Sequence, residues 1–190
     1  MEKTDIRVRF TRKVLEESLI SLMKEKSILD ITIREICEVA GLSRSTFYTY
    51  YNDQYDLLRE IEEETFIETD KILRPYIKVV KKSSGRETTA LLQDVLQYIA
   101  GNSNSIQVLL SKNGDSTFQK RFFRKGIEAM WRFTEAAGIK SQDKGVAAYC
   151  SVFLIGGILS LVQEWLQNGM DTPVPEMAKM LFRLTRDALW

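Results

Sequence analysis

Between Ser43 and Tyr51 the chain reads SRSTFYTYY, and every residue but Phe47 carries a polar group. Arg44 supplies a planar fork of N–H donors. Ser43, Ser45, Thr46 and Thr49 supply hydroxyls, and Tyr48, Tyr50 and Tyr51 supply phenols. A guanidinium, hydroxyls and phenols packed this closely suit contact with a groove lined by acceptors. Other chemistries find little support. No histidine occurs in the 190 residues, which removes the commonest general base and the commonest metal ligand. Cys37 and Cys150 lie far apart and offer neither a disulfide framework nor a CxxC spacing. There is no P-loop and no dinucleotide-binding glycine pattern. The carboxylate pair Asp53 and Asp56 is explained by helix capping. No enzyme, metal or cofactor is expected.

The polar stretch needs a frame, and the flanking residues supply one. Thr32 and Glu35 form a capping-box pattern ahead of the apolar positions Ile33, Ile36, Val39 and Ala40. Gly41 ends that helix where a left-handed backbone is cheap for glycine alone. Leu42 turns back to the core, Ser43 caps a second helix over 43–51, and Phe47 faces the core with Ala40. Asn52 and Asp53 break the chain before a third helix that starts at Gln54 and carries Leu57 and Leu58. Upstream, Ile6, Phe10, Val14, Leu15, Leu19, Leu22 and Met23 have the spacing of one buried stripe on a helix over 5–25. Ser27 to Asp30 form a short connection, with Leu29 and Ile31 expected to plug the core. The pattern is a helix-turn-helix.

Residues 32–58 resemble the DNA-binding segment of the TetR family of bacterial transcriptional regulators. Thr32, Ile33, Ile36, Ala40, Gly41, Leu42, Ser43, Thr46, Phe47, Tyr48 and Tyr51 stand in the register of its pattern. Gln54 departs from it where a phosphate-binding lysine is usual, and Ser45 where glycine is common. The resemblance implies that the helix from Ser43 enters the major groove. There Arg44 would read a guanine edge, a paired hydrogen bond giving about 1–3 kcal/mol of discrimination. Ser45 and Thr49 would touch bases, and Thr32, Ser43, Tyr48, Tyr50 and Gln54 would hold phosphates, with Thr46 in the same set. Twofold symmetry would place half-sites roughly 34–36 Å apart, or a multiple of that. The formal net charge is only +1, from 27 basic and 26 acidic residues. Attraction to DNA must therefore come from local groups such as Arg7, Arg9, Arg12, Lys13, Arg34 and Arg44.

The rest of the chain reads as helices. A long linking helix is expected over about 53–82, interrupted at Pro75 and bearing an acidic run at Glu60, Glu62, Glu63 and Glu64. A charged, serine-bearing linker spans 81–86. Helices follow over about 87–100, 103–110, 115–138, 145–169 and from Pro175 to the end. The fold class is thus all-α, about nine helices, with a DNA-binding domain over 1–53 and a larger helical bundle over 54–190. Tyr98, Phe118, Phe122, Phe123, Met130, Trp131, Tyr149 and Phe153 either line an apolar pocket for a small effector or fill a core.

No charged residue occurs between Gly145 and Gln163. Polar side chains and the adjacent Gly156 and Gly157 argue against a membrane span and for a helix buried on two sides. The family dimerises through its last two helices. That implies a homodimer interface with Phe153, Gly156, Gly157, Leu161, Trp165, Met180 and Leu184. The charged N-terminus is no signal peptide, so a cytoplasmic protein is expected. The partners expected are operator DNA, an unidentified small molecule and a second copy. In the family, effector binding shifts the linking helix and releases the operator. The alternative is a helical protein-interaction regulator that binds DNA weakly or not at all.

Overall fold

The computed structural model describes residues 2–79, 85–136 and 144–189, and among them nine α-helices. They are α1 (Glu2–Met23), α2 (Ile33–Ala40), α3 (Arg44–Tyr48), α4 (Gln54–Val79), α5 (Gly85–Gly101), α6 (Ser103–Leu109), α7 (Ser116–Ala136), α8 (Lys144–Gln167) and α9 (Val174–Leu189). Most of the linker expected over 81–86, and the helix end expected at Gly138, lie outside the described residues. The residues divide into two compact units, Met1–Thr65 with Asn104–Gln119, and Phe66–Ser103 with Lys120–Trp190. The division falls inside α4, and α6 with the start of α7 belongs with the N-terminal helices.

In the first unit, Leu15, Leu19 and Met23 of α1 meet Ile31, Ile36, Phe47 and Leu57 in a core that excludes water. Each such side chain contributes about 1.5–3 kcal/mol of transfer free energy. Ile6 and Phe10, expected in the same stripe, are exposed, and full burial along α1 begins only at Leu15. Leu29 is also exposed, at 75%, against the expectation that it plugs the core. The cause is a 3-10 turn over Ile28–Asp30, which Ser27 caps. Residues three apart eclipse in such a turn, so Ile28 and Ile31 point inward together and Leu29 is left outside. Val39 is exposed for a similar reason, because the buried side of α2 is centred on Ile36 and Cys37. Asn113 ties α6's exit to α1, its Nδ2 donating to the Met23 carbonyl at 3.0 Å.

The second unit packs α5, most of α7, α8, α9 and the later part of α4. α8 is apolar nearly all round, yet only one side is covered: Leu154, Val162, Trp165 and Leu166 are buried, while Val146, Tyr149, Val152 and Phe153 are exposed. By length and composition α8 is apolar enough to cross a membrane, which makes its covered side the informative feature. Gly169 and Met170 both take positive φ after α8, and the Met170 N–H donates to the Trp165 carbonyl at 2.8 Å. The Trp165 indole in turn donates to the Thr172 carbonyl at 2.8 Å. This hydrogen bond fastens the turn from α8 to α9. α4 continues through Pro75 as one helix.

Candidate nucleic-acid interface and ligand cavity

Local hydrogen bonds set the turn between α2 and α3. The Thr32 hydroxyl accepts from the Glu35 N–H at 3.3 Å, and the Glu35 carboxylate accepts from the Thr32 N–H at 2.9 Å, completing the capping box. Gly41 takes φ of 65°, a conformation that costs other residues roughly 1–2 kcal/mol. Ser43 then caps α3, its Oγ accepting from the Thr46 N–H at 3.1 Å. α3 is shorter than the helix expected over 43–51. The Tyr50 and Tyr51 N–H groups both donate to the Phe47 carbonyl at 3.0 Å, so the chain tightens into a turn after Tyr48. Phe47 is fully buried and edge-on to Tyr48, whose own ring is exposed.

The polar groups on α3 are not equally available. Ser43 Oγ lies 2.7 Å from Ser45 Oγ and 2.9 Å from Thr46 Oγ1, and Thr49 Oγ1 donates to the Ser45 carbonyl at 3.0 Å. Arg34 is held by Glu38 at 2.6 Å. Arg44 is exposed and has no carboxylate partner among the described residues. Tyr48 on the same helix is also exposed.

Tyr51, the last phenol of the polar stretch and outside the set expected to contact DNA, faces inward. It is buried, and its hydroxyl accepts from Arg12 Nε at 3.3 Å and donates to Glu60 Oε1 at 3.4 Å, while Arg12 also pairs directly with Glu60. Burial, the largest influence, pushes the Tyr51 phenol up to about 12, so it stays neutral. The network joins α1, the exit from α3 and α4. It also withdraws Arg12 from the basic group expected at the N-terminus, leaving Arg7 and Arg9 exposed. Asp53 Oδ1 accepts from the Asp56 N–H at 2.7 Å and Asp56 Oδ2 from the Asn52 N–H at 3.1 Å, as the capping explanation requires. Gln54 opens α4.

The second unit forms an open-mouthed cavity of about 380 Å3. α4, α5, α7, α8 and α9 all contribute to its walls, which are mainly aliphatic and aromatic. Of the pocket residues expected from sequence, Phe122 and Met130 line it. Tyr98, Phe118, Phe123, Trp131, Tyr149 and Phe153 do not. Phe118 is buried in the first unit, whereas Tyr149 and Phe153 lie on the uncovered side of α8.

A family model of the TetR C-terminal type, described as a transcriptional regulator C-terminal region, matches residues 86–187. The chain belongs to the TetR family of transcriptional regulators. This family consists of regulators and not enzymes. A helix-turn-helix transcriptional regulator of Haemophilus influenzae is 22% identical over 177 residues, covering 92% of this chain and 84% of that protein. The regulator YxbF of Bacillus subtilis is 22% identical over 113 residues, 60% of this chain, which spans only 30% of YxbF's length. Among solved structures, a SmeT–triclosan complex superposes with a TM-score of 0.74 at 13% identity, covering 94% of this chain and 90% of that one. The fold is therefore the all-α TetR architecture, a helix-turn-helix with a helical C-terminal region.

Two other sets of residues in this TetR-family chain escaped the sequence reading. The Arg12, Tyr51 and Glu60 network leaves no local signal, since its members are up to 48 residues apart. The cavity walls did leave a trace in the apolar stripe of α5, where Leu91, Leu92, Val95, Leu96 and Ile99 recur at helical spacing. Among the residues expected at a dimer interface, Phe153, Met180 and Leu184 are exposed. Gly157 is open, with nothing within 4 Å of a Cβ built on it. Gly156 faces Phe123 at 3.8 Å, and Leu161 is half-buried. Trp165 is 2% exposed and spent within its own chain, which removes it from any such interface.

Proposed function

We propose that this TetR-family protein binds a palindromic operator as a homodimer and is released from it by a small apolar molecule, acting as a repressor in the cytoplasm. The observation that carries the ligand-responsive half is the apolar cavity of about 380 Å3, within the size range of small-molecule sites. Phe66, Asp70 and Leu73 of its wall belong to α4, the same continuous helix that bears Leu57, Leu58 and Glu60 in the first unit. A ligand that displaces the wall residues acts on a helix whose other end is bound into the DNA-binding unit. Coupling of about 1–3 kcal/mol between the two sites makes a useful switch. The SmeT structure, in complex with triclosan, supports the reading by analogy of fold. Exposed Arg44, Ser45 and Tyr48 on α3 support groove contact, and the exposed apolar side of α8 supports pairing with a second copy.

Retardation of DNA flanking its own gene tests the reading. Specific binding is expected to weaken steeply as salt rises, because phosphate contacts release condensed counterions. Absence of salt-dependent binding to that DNA would favour the protein-interaction alternative.

A further inference from the structure

Four charged side chains line the cavity: Asp70, Lys125, Glu128 and Arg132. Three of them have partners of opposite charge. Asp70 receives Arg74 at 2.6 Å and Arg132 at 3.5 Å, and Glu128 faces Arg124 at 3.9 Å. Lys125 has no carboxylate within ion-pair range among the described residues. Its Nζ lies instead 5.2 Å from the centroid of Phe66, a ring that is 5% exposed and forms part of the cavity wall. The guanidinium of Arg121, one turn earlier on α7, stands 4.8 Å over the same ring. Two cations thus lie within cation–π range of one ring.

A ligand's charge decides how it meets this arrangement. A cation would be repelled by the Lys125 ammonium, and each cavity carboxylate already has a basic partner. A neutral apolar molecule would fill the space and leave Lys125 unused. An anion would give the ammonium a charge-assisted hydrogen bond. Lys125 is exposed, so a charged end there keeps much of its hydration while an attached apolar body is buried against Leu91, Leu96, Phe133 and Ile158. We infer that the cavity takes a hydrophobic monoanion: an alkyl or aryl body inside, and a single carboxylate or comparably acidic group on Lys125 beside Phe66. The inference rests on the cavity being the effector site and specifies the class of effector.

Calorimetric titration of the full chain with decanoate, decan-1-ol and decylammonium at neutral pH tests it without DNA. Decanoate is expected to bind about tenfold more tightly than decanol, with decylammonium weakest. Lys125→Gln should erase the gap between decanoate and decanol, and Lys125→Arg should preserve it. Equal or tighter binding of decanol or decylammonium would overturn the anion preference and leave the effector cavity standing. So would a full gap in Lys125→Gln. Failure of all three probes to bind would overturn the effector cavity and the anion preference together.

Discussion

Three arginines on or near α2 and α3 show how little residue type alone decides. Arg34 is matched by Glu38 one turn along α2. Arg12 is tied to Tyr51 and Glu60. Arg44 has neither an acidic neighbour one turn away nor a carboxylate partner among the described residues. Its donors are therefore available to a base edge at little cost in lost internal contacts. Arg44→Ala is expected to reduce discrimination between operator and unrelated DNA by about 1–3 kcal/mol. Thermal stability should stay close to wild type, because an exposed side chain with no carboxylate partner among the described residues is removed. Competition gel shifts with a mutated half-site measure the first effect, and a melting curve the second. Retention of full discrimination would remove Arg44 from the base-reading set.

At the scale of elements, short-range chemistry set the helix starts. Thr32, Ser43 and Asp53 each cap as their type and position required, because a cap satisfies backbone N–H groups only a few residues away. Glu35 carries more than a cap. Its carboxylate accepts from Lys26 Nζ at 2.6 Å as well as from the Thr32 N–H and hydroxyl, each at 2.9 Å. The lysine hydrogen bond foremost, and then those from Thr32, hold the carboxyl at about 2 against an ordinary 4.5. The folded value lies below the unfolded one, so the stabilisation is present above about 4.5 and drains away as pH falls toward about 2. Glu35→Gln should therefore be less stable than wild type at neutral pH, with the difference closing across that acid range. Denaturant midpoints taken at several pH values check this. A difference independent of pH would show that the carboxylate's charge plays no part.

At the scale of the whole molecule, α8 is the decisive element. One side packs into the second unit through Leu154, Val162 and Trp165, and the other leaves Val146, Tyr149, Val152 and Phe153 exposed to solvent. A side this apolar is the kind of patch that marks an interface. Phe153 is 74% exposed, so a charge there should be tolerated by the isolated chain and rejected by a second copy. Phe153→Glu is expected to sediment as a monomer with unchanged helical content and to lose most operator affinity. A variant that remains dimeric would place the interface elsewhere.

The amino-acid sequence by itself determined the helices of the first 60 residues, their caps and the turn at Gly41. These depend on propensity, capping and periodicity within a few residues, and the specific spacing from Thr32 to Tyr51 carried the family resemblance. Only the tertiary structure decided which polar and aromatic groups remain available. Tyr51 and Arg12 are consumed by Glu60, Phe118 by the core of the first unit, and Trp165 by the carbonyl of Thr172. Phe66, Lys125 and Leu96 come together around a cavity although they are far apart in the chain. Periodicity shows that a residue faces inward from its own helix. Whether it meets a neighbour, a void or a second unit is set by packing among elements, which no local pattern encodes.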